Sequence, residues 1–158
     1  MNIVIKSATA NDASHVATMV GELLDEIMRA GNAAGFKFNL DETIARIKDL
    51  IARRIYHIFI AEQLSASRQV GFLTLCESHS LYAEGVLGII QELYVQPVYR
   101  SQRVGQLLLE KAKEFALARN WKRLEVTTPP LPQFDRTLRF YEQQGFGITG
   151  GRKLKILL

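Results

Sequence analysis

Cysteine is almost absent from this 158-residue chain: Cys76 is the single one, so no internal disulfide can form. It lies within the apolar run from Val70 to Cys76 and reads as an inert buried thiol rather than a nucleophile. Long apolar stretches are missing too, and none approaches the roughly 20 residues of a membrane-spanning helix. Residues 1–6 read as a strand and not as a signal sequence, because no long apolar stretch follows Lys6. A cytoplasmic protein without a membrane partner is expected. Histidines are few, and His15, His57 and His79 lie too far apart for metal-ligand spacing, so no metal is expected. With no repeat, low-complexity tract or linker, residues 1–158 read as one mixed α/β domain.

What is present is ordinary for a soluble globular protein, 47% apolar and 23% charged. The net charge of +4 is compatible with a polyanionic ligand. Lys111, Lys113, Arg119, Lys122 and Arg123 form a basic cluster, but no aromatic stripe interleaves with them and Glu110, Glu114 and Glu125 interrupt it. That pattern is a solvated face, not a nucleic-acid surface.

Periodicity orders the elements. Residues 3–7 alternate as a strand and end at Thr9-Ala10-Asn11-Asp12, a capping box opening a helix to about Arg29. Val16, Met19, Val20, Leu23, Leu24, Ile27 and Met28 make its buried stripe. The stretch from Ala30 to Phe38 is a glycine-bearing loop, and Asn39 caps a second helix carrying Leu40, Ile44, Ile47 and Ile51. Strands follow at 57–62 and 70–76, hairpin-linked, and at 86–95 after a connecting loop over 77–85. A helix over 104–119, a strand over 123–128 stopped by Pro129-Pro130, a helix over 135–144 ending at Gly145, and a last strand over 153–158 complete the order.

The strand exit and helix entry from Gln91 to Leu109 carry the strongest chemical signal. A loop feeding a helix N-terminus offers unpaired N–H groups and the positive end of the helix dipole, which suits phosphate groups.

Two motifs within this order resemble those of the GCN5-related N-acetyltransferases, the GNAT family. Arg100-Ser101-Gln102-Arg103-Val104-Gly105 is similar to the family's acetyl-CoA loop, (Gln/Arg)-x-x-Gly-x-(Gly/Ala), with Arg103 standing where the first glycine would be. Phe140-Tyr141-Glu142-Gln143-Gln144-Gly145-Phe146 resembles its Phe-Tyr-x-x-x-Gly-Phe ending. The resemblance implies an α/β fold with a mixed, mostly antiparallel central sheet, helices on both faces, and a V-shaped split between the fourth and fifth strands. It also implies acetyl-CoA as co-substrate, its pantetheine against Leu93, Tyr94 and Val95 and its pyrophosphate on amides of Arg100, Ser101, Gln102, Arg103, Val104, Gly105 and Gln106. Arg103 keeps its amide available if its φ is negative, and its guanidinium is a charge-assisted donor for phosphate.

The resemblance further assigns Tyr141 as the acid protonating the departing thiolate. A fourth-strand amide near Tyr94 or Val95 would hold the thioester carbonyl. Glu92 is the candidate for removing the amine proton, with Glu62 and Glu125 as weaker ones. Many family members have a cofactor-binding asparagine near Asp135; none stands here, and Phe134 and Arg136 are the residues that would flank pantetheine or adenine. The implied partner is a primary amine on a small molecule or peptide, and a homodimer is admitted. The missing glycine and asparagine leave an alternative, a CoA-binding module of this fold with little or no catalysis.

Overall fold

The computed structural model describes residues 2–31 and 37–158, so most of the predicted Ala30 to Phe38 loop lies outside the described residues. The chain divides into two compact units, Met1–Thr127 and Thr128–Leu158.

The first unit holds a five-stranded sheet in the order β1 (Ile3–Ser7), β2 (Tyr56–Gln63), β3 (Arg68–Ser80), β4 (Gly85–Val95), β5 (Leu124–Val126). The first three pairings are antiparallel and the β4–β5 pairing is parallel. Helix α1 (Ala13–Ala30) and helix α2 (Leu40–Ala52) lie between β1 and β2, and α3 (Val104–Ala118) lies between β4 and β5.

Local chemistry explains the helix starts. Thr9 accepts from the Asn11 amide at 3.3 Å while Asp12 accepts from the Thr9 amide at 2.8 Å. The predicted capping box therefore forms, closing a short 3-10 turn ahead of α1. Asn39 accepts from the Glu42 amide at 3.0 Å and so caps α2.

Strand alternation sends the helices to opposite faces. Ile58, Ile60, Phe72 and Tyr94 join Val16, Met19 and Ile47 in a core beneath α1 and α2. Their neighbours His57 and Phe59 meet Phe115 of α3 on the other face. There Trp121 lies so close over Gly88 that a Cβ at Gly88 would strike its ring, and its indole N–H donates to Glu77 at 3.0 Å.

Two expectations about strands are corrected. The predicted 77–85 loop shrinks because Glu77 to Ser80 pair with Gly88 to Gly85, leaving only a tight turn between β3 and β4. Polarity suggested a loop, yet those residues alternate inward and outward along a long hairpin. The predicted strand over 153–158 does not form: residues 146–158 carry no regular structure, and Leu154, Ile156 and Leu158 are exposed. Alternation gives that segment sides, but a strand needs a partner, and the second unit holds one helix, α4 (Asp135–Gln143), and no strand.

Candidate active site

Midway along its length β4 loses its outer neighbour. Gly88, Ile89 and Ile90 pair with Leu124, Glu125 and Val126, after which the edge runs on without β5 to Val95. Here the sheet opens between its fourth and fifth strands. At the same point β4 bulges: Ile90 and Glu92 face the consecutive residues Leu75 and Thr74, so Gln91 is the extra residue.

The bulge decides which amides are available. The Gly88 amide donates outward to the Arg123 carbonyl at 3.0 Å, and the Gln96 amide donates inward to the Val70 carbonyl at 2.9 Å. Stepping back in twos from Gln96, Tyr94 and Glu92 face β3, so Leu93 and Val95 present their backbones to the opened edge. Tyr94 was expected beside them as an amide donor; its backbone is directed to β3 instead. Its side chain is buried and donates to Glu22 at 3.1 Å.

The loop after β4 makes a short 3-10 turn over Pro97–Tyr99 and enters α3 through two left-handed residues, Ser101 (φ 61°) and Arg103 (φ 69°). The condition set for an available Arg103 amide, a negative φ, is therefore not met. Arginine occupies the conformation for which glycine is suited, at a cost of about 1–2 kcal/mol. Replacing Arg103 with Gly is expected to stabilise the chain by about 1 kcal/mol, a rise of about 2–4 °C in Tm in thermal melts.

Helix α3 has no side-chain cap and no acid in its first turn. Its first backbone bond runs from the Leu107 amide to the Arg103 carbonyl at 2.9 Å, leaving the amides of Val104, Gly105 and Gln106 directed out of the helix end. Positive charge and donors converge there, an arrangement that receives an anion. The Arg100 side chain does something else: its guanidinium pairs with Glu26, its Nε donates to the Val95 carbonyl at 2.7 Å, and it lies over the Tyr94 ring. It fastens the loop to α1. Gln102 donates to the Val98 carbonyl at 3.0 Å, bracing the same loop, and Gln106 donates to Glu110 at 3.0 Å.

Glu92 lies beside the bulge on the α1–α2 face, since its strand partner Thr74 faces Ile58. Burial raises its carboxyl above the ordinary carboxylate range, while hydrogen bonding from Thr74 and Tyr56 works in the opposite direction. Thr74 Oγ1 donates to Glu92 Oε1 at 2.8 Å and accepts from the Glu92 amide at 2.9 Å. The other two candidate acids differ. Glu62 pairs with Lys6 at 2.9 Å and Glu125 with Arg123 at 3.4 Å, so a cation already neutralises each.

Neither Thr74 nor Tyr56 stands out in the sequence. Thr74 is one hydroxyl in an apolar run, and its partner depends on a register shift set by a strand far along the chain. Cys76, expected to be buried, is only half-buried and accepts from Gln91 Nε2 at 3.3 Å.

In the second unit the Phe-Tyr-x-x-x-Gly-Phe segment has a local physical explanation. Gly145 takes φ 98°, the Phe146 amide donates to the Tyr141 carbonyl at 3.0 Å, and the Gly145 amide donates to the Glu142 carbonyl at 3.1 Å. This is a Schellman ending of α4, completed by the Phe146 ring against Tyr141 at 5.4 Å. Phe140 flanks Tyr141 at 5.4 Å as well, and burial raises the pKa of the phenol. Phe134 precedes α4 half-buried and Arg136 is exposed on its first turn.

Among the described residues no group of three or more His, Cys, Asp or Glu could hold a metal ion, and no helix is long and apolar enough to cross a membrane.

Comparison with known proteins bears on this geometry. The sequence model of the acetyltransferase (GNAT) domain matches residues 54–148. An uncharacterized N-acetyltransferase from Archaeoglobus fulgidus is 38% identical over 77 residues, 48% of this chain and 50% of that protein. The match therefore spans only about half of that relative's length. The structure is similar to a ribosomal-protein-alanine N-acetyltransferase from Brucella melitensis biovar Abortus, with TM-score 0.76, 17% identity and coverage of 99% of this chain and 100% of the other. It is also similar to an aminoglycoside acetyltransferase from an uncultured soil metagenomic sample, with TM-score 0.75, 18% identity and coverage of 99% and 96%. At such identities these two likenesses concern the fold.

Proposed function

The chain belongs to the GNAT acetyltransferase family, and we propose that it transfers the acetyl group of acetyl-CoA directly to a primary amine of a small molecule or peptide. The observation that carries this reading is the opened outer edge of β4, running from the bulge into the uncapped N-terminus of α3. An extended arm with amide groups pairs with such an edge, and a pyrophosphate suits the helix end that follows it.

Each role has a residue. The backbone of Leu93 and the amide of Val95 receive the pantetheine, the Val95 carbonyl being held by Arg100, and an amide on that edge donates to the thioester oxygen as it gains charge. The Val104, Gly105 and Gln106 amides hold the pyrophosphate, with the Ser101 to Arg103 segment setting their direction. As the amine nitrogen bonds to the carbonyl carbon and the C–S bond breaks, Glu92 takes the proton leaving nitrogen. Tyr141 gives its proton to the departing sulfur. The raised pKa of Glu92 favours a base, because its proton affinity lies nearer to that of the groups it serves. Burial keeps Tyr141 protonated over the physiological range, as an acid requires.

Calorimetric titration with CoA and acetyl-CoA, followed by a panel of small and peptide amines read by thiol release, tests the reading. Saturable binding and release of thiol with at least one amine are expected. Absence of binding at high CoA concentration overturns the reading. Binding without turnover of any amine supports instead a CoA-binding module, the alternative raised by Arg103 in a glycine position.

A further inference from the structure

Thr74 is buried in the strand interior, only 2% exposed, and apart from aromatic residues with a polar tip it is the one polar residue among the buried described residues. Valine would fill the same volume in the middle of a strand and would suit the run Phe72 to Leu75 better. A buried hydroxyl must find partners, and Thr74 uses both of its hydrogen-bonding capacities on one residue: the Glu92 amide donates to it at 2.9 Å and it donates to Glu92 Oε1 at 2.8 Å. Resting on the assignment of Glu92 as base, we propose that Thr74 is a positioning residue: at the Gln91 bulge it holds the amide and the carboxylate of Glu92 together and thereby aims and tunes that carboxylate.

The bulge explains the need. Where β4 carries an extra residue, the Glu92 amide is met by a side-chain oxygen, that of Thr74. With the amide and the carboxylate of one residue gripped by one hydroxyl, the Glu92 side chain is confined to a narrow set of rotamers. Free rotation would let the carboxylate leave the amine's path. The same bond stabilises the ionised form and so opposes the effect of burial.

Around it on the α1–α2 face, among the described residues, are Tyr56 of β2, whose hydroxyl lowers the proton affinity of the carboxyl, Cys76 of β3 beside Tyr56, and Tyr94 of its own strand. Helix α1 contributes Glu22, which accepts from Tyr94 and Gln96. Arg100 lies over the Tyr94 ring and pairs with Glu26 of α1, while the groups that act on the Glu92 carboxyl itself are the neutral donors Thr74 and Tyr56.

The test is the pH dependence of kcat/KM for acetyl transfer in Thr74→Ala, Thr74→Val, Thr74→Ser and Tyr56→Phe, with thermal melts of each. Loss of the Thr74 donor is expected to move the acid limb upward by about one pH unit and to lower kcat about tenfold, with the KM for acetyl-CoA little changed. Thr74→Ser should restore both. Tyr56→Phe, which removes no backbone partner, should move the limb in the same direction by less, and it decides the matter if neither Thr74→Ala nor Thr74→Val folds. An unmoved acid limb in folded variants overturns the inference. If Glu92→Gln itself keeps full activity and the limb, the assignment of the base fails instead, a separately readable outcome.

Discussion

Glu92→Gln is expected to lower kcat/KM at neutral pH by about a hundredfold or more and to erase the acid limb of the pH profile, the usual scale for loss of a positioned general base. The substitution keeps the shape of the side chain and leaves an oxygen to accept from Thr74, so the local fold should survive. Its effect on stability has a definite sign. Because burial raises the pKa of Glu92 in the folded chain, the folded state holds this proton more tightly than the unfolded one. Stability is then lost as pH rises from the ordinary carboxylate pKa through the raised one, and above that window the buried charge is a burden. Glu92→Gln should accordingly melt at or above the wild-type temperature at neutral pH, with the gap closing in acid. Loss of activity together with an undiminished melting temperature is the signature to look for, measured by initial rates and calorimetry on the same preparation. An active, fully pH-responsive variant would remove the base role.

Tyr141→Phe is the second large effect, with kcat expected to fall by about a hundredfold and acetyl-CoA affinity nearly unchanged. The hydroxyl is the only group removed. The ring contacts with Phe140 and Phe146 and the Schellman bonds of the α4 ending involve atoms that phenylalanine retains. Since burial drives the Tyr141 pKa upward, no alkaline limb from its ionisation should appear across the neutral range. Leaving-group dependence gives an independent reading. A donor whose thiol is more acidic needs less protonation on departure, so the defect should shrink with such a donor. A defect of equal size with every leaving group would argue against the acid role.

Features encoded within a few residues were legible in the sequence. Thr9 and Asp12 cap one another across three positions, and the 141–146 ending needs only its own glycine and aromatics, so both follow from local chemistry. Features that depend on a distant partner were not. Glu77 to Ser80 look like a loop until β4 is placed beside them, and Leu154 to Leu158 look like a strand although their own unit offers none to pair with. Within the candidate site, the loop at Arg100 to Gly105 was visible because a motif marks it, whereas the left-handed backbone of Arg103 was not, since arginine rarely adopts it. Thr74 was invisible for a further reason: its meaning lies in a register shift, and a register is a property of two strands at once.

The extra residue at Gln91 has one more consequence, a matter of parity. Ahead of it, the even-numbered residues Gly88 and Ile90 address the outer edge of β4; after it, that duty passes to the odd-numbered Leu93 and Val95. Ile90 and Glu92, two apart and bound to share a side in a flat strand, come to stand on opposite sides, the one in the core beneath α3 and the other facing α1 and α2. A single odd step thus lets one continuous strand be greasy on the side where it must pack and carry a carboxylate on the side where an amine would arrive.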